Sequence, residues 1–101
     1  MENNETFNAP PTLEKVQGYI DKLIDGADTV IKKEKYNEEG VLVELEVQLS
    51  EPDAEGNVRQ FDYVVNKVGR MTVDEVWFDG DGMPLGGKQV AEYINGNWKV
   101  M

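Results

Sequence analysis

The residues best suited to chemistry in this chain are carboxylates. Glu51, Asp53 and Glu55 alternate through Glu51-Pro-Asp-Ala-Glu-Gly56, and Asp62 follows eleven positions after Glu51. Alternating acids ahead of a glycine, closed by a later acid, form the donor pattern of a calcium loop, which gathers several hard oxygens around one ion. The match is incomplete. Glu stands first where Asp is the rule, Arg59 falls on a ligand position, and the flanking runs read as strands rather than helices. Asp79-Gly-Asp81-Gly82 is a second candidate for a hard cation, yet Asp and Gly are also what a tight turn selects. Both loops read first as solvated turns, with low-affinity calcium binding as the weaker alternative. No metal ligand and no cofactor is assigned.

Other chemistries lack their parts. The chain has no histidine and no cysteine. That removes the commonest general base, the commonest transition-metal ligand and every thiolate reaction. The hydroxyls of Thr12, Thr29, Ser50 and Thr72 therefore have no imidazole to activate them. Paired carboxylates alone run acid–base catalysis in glycosidases, but none of the twenty acids sits in a recognisable motif. The glycine-rich pieces fit neither a Walker loop nor a dinucleotide fingerprint. The chain is not expected to be an enzyme.

The elements that position these acids are mostly strands. Val41 to Leu49 (VLVELEVQL) alternates apolar odd positions with Glu44, Glu46 and Gln48, so as a strand it builds an apolar face and an acidic face together. Val58 to Lys67 places Phe61, Tyr63 and Val65 on one face. Paired with Val47, Leu45 and Val43, that strand lays Gln60, Asp62 and Val64 beside Gln48, Glu46 and Glu44, a repulsive arrangement of acids. Thr29 to Tyr36 reads as a lysine-rich edge strand joined to the Val41 strand by the turn Asn37–Gly40. Met71 to Asp79 is a fourth strand whose alternation breaks at Asp74-Glu75. A β-bulge there would set Met71, Val73, Val76 and Phe78 on one face. Asp79 to Gly87 reads as a long turn-rich connection. Asn95-Gly96 predicts a two-residue hairpin pairing Tyr93 with Trp98, Glu92 with Lys99 and Ala91 with Val100. A short helix over Lys88 to Ile94 is the competing reading. No internal repeat is apparent.

Ahead of the strands, Leu13, Val16, Ile20, Leu23 and Ile24 recur at helical spacing, with Thr12 as N-cap and Gly26 as the stop. The expected architecture is α+β: one N-terminal helix packed on a curled antiparallel sheet of about five to six strands. Residues 1–11 read as a flexible tail, in which Phe7 is the one large apolar group, and 12–101 as a single domain. The order of helix then meander resembles the cystatin-like shape, which implies a helix on one sheet face and an opening on the other.

The formal net charge is −10, and its distribution is uneven. From Glu38 to Asp81 twelve acids face only Arg59, Lys67 and Arg70, a net −9. Direct binding to nucleic acid or to an anionic membrane is disfavoured, since both need a positive face. No secretory signal or membrane-length apolar run is present, so a cytoplasmic setting is expected. The leading expectation is a non-catalytic protein-binding module in which Glu44, Glu46, Asp62, Glu51, Asp53 and Glu55 meet a basic protein partner. Its sharper form is an inhibitor that imitates nucleic acid with an anionic surface. The alternative is a small-molecule or peptide site on a concave sheet face lined by aromatics, with Trp77, Tyr93 and Trp98 nearby.

Overall fold

The computed structural model describes residues 9–101, so residues 1–8 of the expected tail over 1–11, Phe7 among them, lie outside the described residues, while Pro11 is buried. Thr12 caps helix α1 (Leu13–Leu23) by accepting the Lys15 amide at 3.2 Å. Asp25 and Gly26 both take positive φ beyond its end, and the Gly26 amide returns to the Asp21 carbonyl at 2.9 Å. Six strands follow: β1 (Thr29–Tyr36), β2 (Leu42–Leu49), β3 (Val58–Val65), β4 (Met71–Phe78), β5 (Pro84–Ile94) and β6 (Asn97–Val100). They form one antiparallel sheet in chain order, without a crossover. The expected α+β layout is therefore observed, with an open sheet.

Four of the five hairpins close on the same five-residue turn: Asn37–Val41, Asp53–Asn57, Asn66–Arg70 and Asp79–Met83. In each, the Asx side chain accepts the amides two and four residues on, at 2.8–3.0 Å. The fourth residue is always glycine, with φ between 80° and 87°. That left-handed position strains any residue with a Cβ, and the Asx oxygen satisfies amides the ladder leaves over. The spacing Asx-x-x-Gly is a repeat of turn chemistry, contrary to the expectation of none. Strand residues differ between units because their burial differs, which hides the repeat. The fifth hairpin turns at Asn95-Gly96, both at positive φ, and pairs Tyr93↔Trp98, Glu92↔Lys99 and Ala91↔Val100 as expected. The stretch Lys88 to Ile94 is strand, not helix.

Helix α1 lays Val16, Ile20 and Ile24 on one sheet face, against Leu42, Leu45, Val47, Phe61, Tyr63, Met71, Val73 and Tyr93. The β2–β3 register is the expected one: Val47↔Phe61, Leu45↔Tyr63, Glu46↔Asp62 and Gln48↔Gln60. Three local expectations are corrected. Tyr36 pairs with Leu42 while Lys35 pairs with Glu44, so Val43 is an extra residue. The parity reverses there, and Leu42, 2% exposed, enters the core in place of Val43. Strand β4 runs without a bulge against β3, so Val73, Glu75 and Trp77 face the helix side and Val76 and Phe78 face away. An acid is tolerated among apolar neighbours because Arg59, two positions from Phe61 on the same face, reaches the Glu75 carboxylate. The irregularity falls in β5 instead, where Val90 and Leu85 are extra against β4. Finally, Pro84–Gly87 is the start of β5 rather than loop.

Candidate functional site

The sheet face away from α1 collects three of the six predicted acids, Glu44, Glu46 and Asp62. Regular pairing through β2, β3 and β4 sets Glu46 opposite Asp62 and Asp62 opposite Asp74, a cross-strand row of three carboxylates. Neighbouring strands lie about 4.8 Å apart, so like charges in such a row repel. Gln48 Nε2 donates to Gln60 Oε1 at 3.1 Å, and Gln60 Nε2 donates to Asp62 Oδ1 at 2.7 Å. This amide relay fixes the middle carboxylate. Asp74 is the member that sequence reasoning missed, because the expected bulge took it out of register. Reading β4 as strictly alternating would have found it.

Burial pushes all three carboxyls above their ordinary range. For Glu46 the Asp62 charge adds to burial, opposed by the charge of Lys33, its cross-strand partner on β1. For Asp62 the charges of Asp74 and Glu44 add to it, opposed by the bond from Gln60, and for Asp74 burial is the cause. Among the described residues no ion pair reaches any of the three. Glu44 differs. It sits opposite Val64, and Lys33 Nζ lies 3.2 Å from its carboxylate, so the edge lysines of β1 partly neutralise a face that the sequence alone leaves without a base.

Glu51, Asp53 and Glu55 are exposed at the β2–β3 hairpin tip, beyond the Gln48–Gln60 rung, and are not brought into the row. Asp53 Oδ1 is occupied by the amides of Glu55 and Asn57, and Asp79 Oδ1 by those of Asp81 and Met83. Among the described residues no three acidic side chains converge to hold a metal ion.

The aromatic residues on the helix face include two separate groups. Trp98 stacks on Tyr19 at 4.6 Å and takes the edges of Tyr93 and Tyr63 at 4.8 and 6.4 Å, so Tyr93 and Trp98 fill space beneath α1. Trp77 stands apart, past the helix, in a groove of about 600 Å³ lined by Arg59, Glu75, Trp77, Gly86, Gly87 and Lys88. There the Arg59 guanidinium lies 4.9 Å from the Phe61 ring centroid and 5.6 Å from that of Trp77, and it bonds to Glu75, itself 7% exposed. No family model matches this chain, and neither a curated protein nor a solved structure matches it. The site therefore rests on its own geometry.

Proposed function

We propose that this chain is a non-catalytic, acidic protein-binding module whose outer sheet face meets a basic surface on a protein partner. The observation that carries this reading is the Glu46–Asp62–Asp74 row: three carboxylates held in register at the sheet centre, each raised by burial and, among the described residues, none in an ion pair, with Lys33 opposite Glu46 the one base beside the row. Folding alone gains nothing from such a row, whereas a partner's lysines or arginines would relieve it. Glu44 flanks the row, and Glu51, Asp53 and Glu55 extend the negative field along the hairpin tip. In its sharper form the module is an inhibitor that occupies a cationic groove otherwise filled by nucleic acid, with carboxylates repeating at strand spacing in place of phosphates. A cytoplasmic setting belongs to the same proposal. No helix among the described residues is long and apolar enough to cross a membrane.

Affinity capture at low and at high salt tests it. Captured partners should be basic, should dissociate as salt rises, and should be lost when Glu46, Asp62 and Asp74 are replaced together by Gln, Asn and Asn. Partners that are not basic, or capture indifferent to salt, would sink the proposal.

A second reading is favoured by the Trp77 groove: a peptide or small-molecule site on the helix-bearing face, not on the opposite face where the cystatin-like element order implies an opening. Tryptophan fluorescence titrated with ligand pools tests it, and a flat response of the Trp77 signal counts against it.

A further inference from the structure

Strand β5 is eleven residues long, while its outer neighbour β6 has only four. Strand β6 covers Ala91 to Ile94, and the Met101 amide closes the ladder on the Val90 carbonyl at 3.0 Å. Among the described residues nothing pairs with 84–89 on the side away from β4. Half of this strand therefore presents unpaired N–H and C=O groups, the template for an added strand. The opposite edge of the sheet is guarded: β1 carries Lys32, Lys33 and Lys35 and a register shift at Lys32, devices that discourage pairing.

An independent observation lies beside the free edge. On the helix-bearing face, Trp77 stands opposite Gly86 and Glu75 opposite Lys88. With no side chain at Gly86, the space across from Trp77 is the groove of about 600 Å³. A second space of about 320 Å³, shared through Trp77 and Gly86, adds Asp53, Glu55, Asn57 and Leu85. Gly87 cannot be enlarged, because a Cβ there would stand 2.7 Å from the Glu75 carbonyl oxygen. The glycine pair thus keeps β5 close to β4 and its face open.

We propose that the free half of β5 docks an extended segment of a partner protein as a seventh strand, with Lys or Arg opposite Gly86 and an acidic side chain two residues away opposite Lys88. Strand side chains return to one face every second residue, which sets that spacing. The position across from Gly86 stands beside the Trp77 ring with Asp53 and Glu55 at the rim. The Trp77 ring already carries the Arg59 guanidinium, whose charge Glu75 balances, so the two carboxylates at the rim are what favour a cation there. The position across from Lys88 meets an ammonium whose neighbour, Glu75, is already held by Arg59, so a carboxylate is favoured there. Main-chain hydrogen bonds supply the affinity, and these two positions the selectivity. This edge is separate from the Glu46–Asp62–Asp74 row on the other face, and the proposal goes beyond the reading of that row.

A phage-displayed short-peptide library panned against the full chain supplies the probe. Enriched sequences should carry Lys or Arg two residues from Asp or Glu. The bound peptide should slow hydrogen exchange at residues 85–89, and N-methylation of alternate residues along one of its edges, but not the other, should abolish binding. Lys88→Glu, at an exposed position that spares the fold, should weaken the selected peptide by about tenfold, equivalent to about 1.4 kcal/mol. A peptide with its acid changed to Lys should recover that loss on the variant. Enrichment without the spaced pair, or protection elsewhere on the sheet, would overturn the proposal. So would slow exchange at 85–89 in the free protein together with a dimeric mass, which would assign the edge to a second copy.

Discussion

Replacing Asp62 by asparagine should make the protein more stable. Asp62 stands between Glu46 and Asp74 in direct cross-strand register, and like charges so placed cost about 0.2–1 kcal/mol per pair. Two pairs are relieved, and solvent screening on a partly exposed face trims the gain, which leaves about 1 kcal/mol at neutral pH. Asparagine keeps the shape and the oxygen that accepts from Gln60. For a domain of this size the gain should raise Tm by about 4–8 °C in thermal denaturation. The pH dependence fixes the cause. A carboxyl raised above its ordinary value destabilises the fold when ionised, so the penalty is absent below about pH 4 and develops as pH rises through the raised values. The variant's advantage should therefore vanish near pH 4, and it should shrink in 1 M salt, where the Debye length falls to about 3 Å. Glu92 behaves oppositely. Its bonds from Arg70, at 2.8 and 2.9 Å, hold its carboxyl low, so its contribution is present above the ordinary range and is lost as pH falls through the lowered value. Wild-type stability should thus peak at mildly acidic pH. An unchanged or lower Tm for Asp62→Asn at pH 7, or an equal gain at pH 4, would refute the account of the row.

Three further outcomes are expected. Tyr63 is 0% exposed, its hydroxyl has no partner among the described residues, and burial pushes its phenol up to about 12. Tyr63→Phe should raise the urea midpoint, a stability gain of up to about 1 kcal/mol, and a loss would show that the hydroxyl is bonded in solution. Asn66→Ala removes the acceptor of two turn amides and should cost about 1 kcal/mol, read by the same denaturation. Arg59→Ala leaves the Glu75 carboxylate buried without its cation and should cost about 3 kcal/mol, part of which Glu75→Gln should restore in the same background.

Much of the fold is legible in the residues, and the exceptions have local causes. The β2–β3 register follows from one apolar face that water excludes, so Leu45, Val47, Phe61 and Tyr63 fix it without help. The Asn95-Gly96 turn is equally decisive, since few other pairs accept two positive φ angles in succession. Val43 misleads because a bulge reverses strand parity without changing composition. Asp74-Glu75 misleads because an acid on an apolar face looks like a register break until its arginine is placed, and Arg59 lies on another strand. Pro84–Gly87 reads as loop because proline and two glycines are edge-strand residues as readily as turn residues. The acidic site was read in part: Glu46 and Asp62 fall where alternation puts them, and Asp74 was lost with the misplaced bulge. The lysine beside Glu44 depends on a cross-strand diagonal that no local pattern reveals.

Because the strand order follows the chain, each ladder joins residues separated by little more than a hairpin, and four of the ladders are closed by one reusable turn. Ladders this local let the sheet assemble by zipping outward from any turn, each hairpin closing in about 1–10 μs, with the docking of α1 on the last strands left as the long-range step. The same arrangement makes the sheet extensible. A hairpin carrying its own Asx-x-x-Gly turn can be added or removed at an edge without rethreading the remainder, so the width of the sheet is free to change by whole units while α1 keeps its seat.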